Sequence, residues 1–328
     1  MRLAVVDLGT NTCRLLLAEV WDGVITHTEM RRTEVVRLGE GVDQTGRLAP
    51  AAVERTLVRL REYATLIEGY APERRLLIAT SALRDAADGR RFLEQVEREC
   101  DLPWRVIGGK EEAALAFRGA VACAPVPSGR ILVFDIGGGS TELAIGRAAP
   151  DSASRTTEPV VGCVDAGRAP GPDRTWSLDV GAVRLTERFF ASDPPTTGQW
   201  RQAVRYTRGL LSGAVPPEAR HMDAGIGVAG TITTLVANHL GLREYRTDLV
   251  HGRELSLATI EAAIRAFRLL TSGARALLPG IEPGREDVIL AGALIAREVC
   301  RLFALSTVLC SEADILEGAI LLLAEERD

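Results

Sequence analysis

The stretch Arg130-Ile131-Leu132-Val133-Phe134-Asp135-Ile136-Gly137-Gly138-Gly139-Ser140-Thr141-Glu142-Leu143-Ala144-Ile145-Gly146 decides how this chain is read. A buried apolar strand ends in an aspartate. Three glycines, two hydroxyl residues and a glutamate follow, and then a second apolar strand. An ordinary hairpin turns on two residues such as Asn-Gly and has no use for a flanking Asp. Consecutive glycines instead leave the backbone bare, so its N–H groups can close around an anion. Ser140 and Thr141 add hydroxyl donors. Asp135 and Glu142 place two carboxylates where a divalent cation could bridge carboxylate and phosphate.

The arrangement occurs twice. Leu3-Ala-Val-Val-Asp7-Leu-Gly9-Thr10-Asn11-Thr12-Cys13-Arg14 is again apolar strand, Asp-x-Gly turn and apolar strand. With Asp7 aligned on Asp135, Gly9 meets Gly137, Asn11 meets Gly139, Thr12 meets Ser140 and Arg14 meets Glu142. A repeat of this kind implies two similarly folded halves, each offering a phosphate loop to a shared cleft.

Composition narrows the possibilities. A chain of 328 residues is about two domains, and 46% hydrophobic residues suffice to build real cores. The net charge of −5 gives no general attraction to nucleic acid, so a polyanionic ligand needs a local cluster of arginines. Lys110 is the single lysine, a skew that fits codon bias. The six cysteines form no CxxC pair and lie mostly in apolar runs, which predicts buried reduced thiols in a cytoplasmic protein. His27, His221, His239 and His251 have no metal-site spacing. Met1 leads straight into a core strand, so no signal segment is expected. No apolar run reaches the roughly 18 residues of a membrane span.

Along the chain, three strands open the first half, and Pro50 starts a helix with apolar residues at helical spacing. A strand at 76–79 runs into Thr80-Ser81-Ala82-Leu83-Arg84-Asp85, the ligand edge of an α/β sheet. Arg84 there is a phosphate-binding cation or half of a surface ion pair with Asp85 or Asp88. A strand at 104–107 runs into Gly108-Gly109-Lys110-Glu111-Glu112, where a carboxylate could deprotonate a water. Residues 148–175 read as an extended loop or insertion. A helix at 198–211 carries Arg201, Arg205 and Arg208 at helical spacing, as a basic stripe or a solvated face. Gly225 to Thr234 is a strand, a Gly230-Thr231 turn and a helix start, which offers N–H groups and a dipole to an anion. Ser311-x-x-Asp314 resembles a capping box for a last amphipathic helix over 313–325.

Taken in order, Asp7-Leu-Gly-Thr-Asn-Thr, Ala79-Thr-Ser-Ala-Leu-Arg84-Asp, Ile107-Gly-Gly-Lys-Glu-Glu112-Ala, Asp135-Ile-Gly-Gly-Gly-Ser-Thr-Glu142, Ser177-Leu-Asp-Val-Gly, Gly230-Thr-Ile and Ser311-Glu-Ala-Asp-Ile-Leu-Glu-Gly318 resemble the exopolyphosphatase / guanosine pentaphosphate phosphohydrolase family of the actin and sugar-kinase superfamily. The resemblance covers nearly all of the chain except about 148–175. It implies an α/β fold of two ribonuclease-H-like (actin-like) domains with an interdomain cleft. Domain I would comprise 1–124 plus 312–328, with the last helix returning to it, and domain II 128–311.

The activity implied is stepwise hydrolysis of a terminal phosphoanhydride with Mg2+ or another divalent cation. Glu112 would be the general base, and Arg84, Asp135 and Glu142 would complete the catalytic set. Asp135, Glu142 and Asp7 would hold the metal. Asp7, Gly9, Thr10, Asn11, Gly137, Gly138, Gly139, Ser140, Thr141, Gly230 and Thr231 would bind substrate. The family's long members carry a C-terminal helical domain of the HD phosphohydrolase type that is not matched here, so short polyphosphate chains are the expected substrate. Guanosine pentaphosphate is the alternative, and a non-catalytic polyphosphate or alarmone sensor or a sugar kinase would be a different class. A cytoplasmic homodimer is expected, with no nucleic-acid and no membrane partner.

Overall fold

The computed structural model describes residues 1–124, 128–148 and 171–326. Of these, residues 1–123 and 313–326 form one compact unit, and 124, 128–148 and 171–312 form the other. The expected loop over 148–175 lies mostly outside the described residues.

The first unit contains β1 (Arg2–Leu8), β2 (Thr12–Trp21), β3 (Val24–Val35), α1 (Val42–Thr45), α2 (Pro50–Tyr70), β4 (Arg74–Ala79), α3 (Ser81–Asp85), α4 (Gly89–Cys100), β5 (Trp104–Val106) and α5 (Gly109–Cys123). The second contains β6 (Gly129–Ile136), β7 (Thr141–Ala148), β8 (Arg174–Leu178), α6 (Ala182–Phe189), α7 (Thr197–Ala214), β9 (Ala224–Val228), α8 (Ala229–Leu240), α9 (Thr247–Val250), β10 (Glu254–Ser256), α10 (Leu257–Phe267), α11 (Ser272–Arg275), α12 (Ile289–Leu302) and β11 (Thr307–Cys310). The last helix, α13 (Ile315–Glu325), belongs to the first unit.

The repeat read from the sequence is a repeat of topology. One sheet runs β3-β2-β1-β4-β5, and the other runs β8-β7-β6-β9-β11-β10. The second order is the first with β10 added at the edge. In each sheet two antiparallel pairs (β1 with β2 and β2 with β3; β6 with β7 and β7 with β8) precede a parallel strand laid against the first. Strands buried on both faces need unbroken apolar runs, and Leu3 to Val6 and Ile131 to Phe134 are almost wholly excluded from solvent.

Two glycines bring α13 against α5. A methyl group on Gly119 would lie 1.9 Å from the Asp314 carbonyl oxygen, and one on Gly318 would lie 2.0 Å from that of Leu115. The helices therefore touch backbone to backbone. Ile315, Leu316, Ala319 and Ile320 then join Leu3, Val5 and Leu16 in one core.

Two expectations are corrected. The cap of α13 is Asp314, not Ser311: its side chain and that of Glu317 form the reciprocal capping box. Ser311 is still tied to the sheet, because its N–H donates to Gly227 O at 3.0 Å, so the helix starts later. Of the cysteines, Cys13, Cys100, Cys300 and Cys310 are buried free thiols, but Cys123 is disulfide-bonded. It ends α5 and is only partly buried.

Candidate active site

The two Asp-x-Gly turns close in the same way. Gly9 N–H donates to Thr12 O, and Gly137 N–H donates to Ser140 O, each at 3.0 Å. The registers put Asp7 directly opposite Arg14, and Asp135 directly opposite Glu142. Directly opposed residues project from the same face of a sheet, with Cβ atoms about 5 Å apart. The repeated position thus carries a neutral pair in one unit and two carboxylates in the other.

In the first unit Arg14 grips Asp7 Oδ2 through Nε at 2.8 Å and Nη2 at 2.6 Å. Arg14 also bonds Asp314, and Arg31 bonds Glu317 and lies 3.5 Å from Asp314. Burial pushes the Asp7 carboxyl up, against the opposing pull of Arg14. Glu317 is likewise raised, mainly by burial. Burial pushes Asp314 up too, but Arg14 and Arg31 outweigh it and hold that carboxyl below its ordinary value. Arg14 takes up Oδ2 of Asp7 alone; Oδ1 is buried and has no hydrogen-bond partner among the described residues.

The glycine loop of the second unit is oriented by α6. Gly137 O accepts from Ala182 N–H at 2.9 Å, and Gly138 O accepts from Val183 and Arg184 N–H at 2.9 and 3.1 Å. A trans peptide points its N–H opposite to its C=O. The N–H groups of Gly138 and Gly139 therefore point away from α6. Gly181 must be glycine, since a methyl there would lie 2.4 Å from Gly138 O. The first unit repeats the device: Gly39 N–H donates to Thr10 O at 2.8 Å, and Val36 and Arg37 N–H donate to Asn11 O at 2.9 Å. Thr10 Oγ1 and Ser81 Oγ are 2.8 Å apart.

Thr141 does not fit its expected role. Its hydroxyl is fully buried and donates to Val180 O, fixing β7 to the segment before α6. Thr231 Oγ1 lies 3.3 Å from Ile136 O, and Ser140 is buried within the turn.

Arg84 and Glu112 come together. Arg84 Nη1 donates to Ile107 O at 3.1 Å and lies 3.9 Å from Glu112 Oε2, and its Nε lies 3.8 Å from Asp85 Oδ1. The Asp85 pairing read from the sequence is present, and Glu112 is added to it. Helical phase separates the two adjacent glutamates: Glu111 reaches out to Arg105, whereas Glu112 is turned inward and is 9% exposed.

At the β9–α8 turn, Ala229 is in the left-handed region at φ 63°. Such a conformation is costly for a residue with a side chain and collects at functional turns. Gly230 follows, and a methyl on it would lie 1.8 Å from Arg285 Nη1, so that guanidinium rests on the Gly230 backbone. Arg285 is held by Glu282, 2.9 Å from its Nε. Sequence reading missed Arg285: it sits in a Pro-Gly-Arg turn with no periodicity or motif around it.

Asp135 and Glu142 suit a hard divalent cation. Both are oxygen donors, are buried and lie on one face, and Glu142 Oε1 accepts a hydrogen bond from Ser177 Oγ at 2.8 Å. Among the described residues no group of three or more His, Cys, Asp or Glu could hold a metal. Two carboxylates completed by substrate oxygens and water is the usual arrangement for Mg2+.

The model of the Ppx/GppA phosphatase family matches residues 17–326. Over 338 aligned positions the chain is 37% identical to exopolyphosphatase 2 of Mycobacterium tuberculosis, covering 98% of each protein. The solved structure of the Aquifex aeolicus Ppx/GppA family member is similar, with a TM-score of 0.77 and 30% identity, covering 100% of this chain and 99% of that one. An exopolyphosphatase-like protein of known structure gives a TM-score of 0.84 at 33% identity, covering 98% of both chains. The fold is thus the two-domain, ribonuclease-H-like (actin-like) α/β fold expected from the sequence.

Proposed function

The chain belongs to the Ppx/GppA phosphatase family, and from that premise we propose that it is an exopolyphosphatase, which releases orthophosphate from the end of inorganic polyphosphate. The observation that carries this reading is the buried Glu112 beside Arg84, at a strand's C-terminal edge. A kinase needs an acceptor hydroxyl at that place, and a hydrolase needs a group that orients water and takes its proton.

In this reading Glu112 accepts a proton as the water oxygen bonds to the terminal phosphorus. The bridging P–O bond breaks, and its electron pair leaves with the shortened chain. Arg84 steadies Glu112 and meets phosphate charge. In the second unit the N–H groups of Gly138 and Gly139, which point away from α6, are donors for phosphoryl oxygens. Arg285 adds a cation at the Gly230-Thr231 turn. Phosphoryl transfer needs little more than positioning and charge neutralisation. Asp135 and Glu142 would hold Mg2+, which when bound neutralises phosphate oxygens. A homodimer and a cytoplasmic setting belong to the same proposal, on the family resemblance alone.

The test is phosphate release with Mg2+ from tripolyphosphate, long polyphosphate, guanosine pentaphosphate and ATP in parallel. Release that is fastest from polyphosphate supports the proposal. Release confined to guanosine pentaphosphate would replace the substrate, and binding without release would make the chain a sensor.

A further inference from the structure

A second cluster of arginines lies in the second unit. Trp200, Arg201, Val204, Arg205, Arg208, Gly209, Ser212, Arg297 and Arg301 line a cleft of about 590 Å3 along α7 and α12, and no acidic residue lines it. Arg201, Arg205 and Arg208 follow one face of α7 at i, i+4 and i+7. Arg297 and Arg301 are one turn apart on α12.

Their counter-charge is insufficient. Buried Glu298 serves three of them: Arg208 at 2.9 Å, Arg297 at 2.7 Å and Arg301 at 3.6 Å. Glu261 takes Arg301 at 2.6 Å. Among the described residues neither Arg201 nor Arg205 has a carboxylate within 4.0 Å. Like charges at i, i+4 destabilise a helix. Codon bias explains arginine in place of lysine, but not five arginines around one cleft in a chain of net charge −5.

This cleft is separate from the phosphate turns. Gly292 of α12 packs on Thr231, 2.7 Å from where its methyl would be. Arg297 and Arg301 come five and nine residues later, about 140° and 180° round the helix. They lie on the far side of α12 from Thr231.

We propose that the arginine cleft is an exosite that binds an inorganic polyphosphate chain. The choice over nucleotides and single-stranded nucleic acid comes from Trp200. Recognition of bases relies on open aromatic faces. Here Arg268 and Arg297 lie 4.7 and 5.3 Å from the Trp200 ring centroid, and Phe190 stacks on it at 6.3 Å. Guanidinium groups remain, and a phosphate chain needs nothing else. The ligand class rests on the polyphosphatase reading; the charge geometry does not.

Arg201 and Arg205 are exposed, and glutamine keeps the helix propensity, so Arg201→Gln/Arg205→Gln folds. The full chain and this variant are compared for binding of long-chain polyphosphate in chelator and for hydrolysis of tripolyphosphate with Mg2+. The variant is expected to bind long polyphosphate about tenfold or more weakly at low salt, with the log-affinity against log-salt slope shallower by about 1.4. Its turnover of tripolyphosphate stays within about twofold of the full chain's, because no residue of the phosphate turns is touched. Unchanged affinity and slope, with tripolyphosphate still hydrolysed, would overturn the exosite and leave the hydrolase standing. No hydrolysis by the full chain, with binding lost in the variant, would overturn the hydrolase and support the exosite. Oligothymidylate bound as tightly as polyphosphate, and lost in the same variant, would overturn the ligand class.

Discussion

Glu111 and Glu112 are adjacent in sequence and part company in space: Glu111 pairs with Arg105 at the surface, and Glu112 is buried within 3.9 Å of Arg84. One residue of helix is about 100° of rotation, enough to separate a solvated carboxylate from one placed for chemistry. Glu112→Gln should lower kcat for polyphosphate by about 100- to 10,000-fold, the range for removal of a general base. Glu111→Gln should change it by less than about twofold, as for an exposed ion pair. Steady-state phosphate release on both variants decides this, and equal losses would refute the assignment.

Arg285 is predicted to act in binding. A charge-assisted hydrogen bond contributes about 1.5–3 kcal/mol, so Arg285→Gln should raise KM by roughly 10- to 100-fold. Arg285→Lys should restore part of the loss, since lysine returns the charge without the fork. A fall in kcat at constant KM would place Arg285 elsewhere in the reaction.

Gly119→Ala and Gly318→Ala should each destabilise the fold by about 3 kcal/mol or more, at the upper end of overpacking effects. The obstructing atoms, the Asp314 and Leu115 carbonyl oxygens, are backbone and cannot rotate aside. Urea unfolding measures the loss. A midpoint within error of the wild-type value for either variant would show that α5 and α13 can separate.

Asp314 sets an acid limit. Its carboxyl is held below the ordinary 3.8 because Arg14 and Arg31 outweigh the effect of burial. A depressed carboxylate contributes stability that is present above the unfolded value and is lost as pH falls through the folded one. The melting temperature should therefore drop steeply below about pH 4. Asp314→Asn keeps a capping oxygen but no charge. It should melt lower at pH 7 and lose less than wild type on acidification.

The sheets were legible in the sequence because their signals are local: a paired strand, an Asp and a Gly within a few residues, written twice. What was not legible is set by distant contacts. Thr141 looked like a phosphate donor until its hydroxyl was found on Val180, 39 residues away. Arg285 carries no sequence signal, and only its contact with the Gly230 backbone reveals it. The cap of α13 lies three residues later than expected because Ser311 answers to Gly227, not to the helix. Nothing near Asp7 in sequence shows that Arg14, which grips it, also answers to Asp314, 300 residues on.

The pairing of Arg14 with Asp314 spans 300 residues. During synthesis β1 and β2 emerge before the second unit, yet the helix that covers them, with the Asp314 and Glu317 carboxylates that bond Arg14 and Arg31, emerges after it. The first unit is therefore born incomplete, with an open apolar face and without the Asp314 and Glu317 carboxylates that Arg14 and Arg31 bond, while the described strands and helices of the second unit emerge as one later block. The ribosome delivers the parts of the first unit before and after those of the second, and that unit can close only after the second has been made. A polypeptide stalled before Ala313 should for this reason hold the second unit in native form and the first in a form that chaperones recognise.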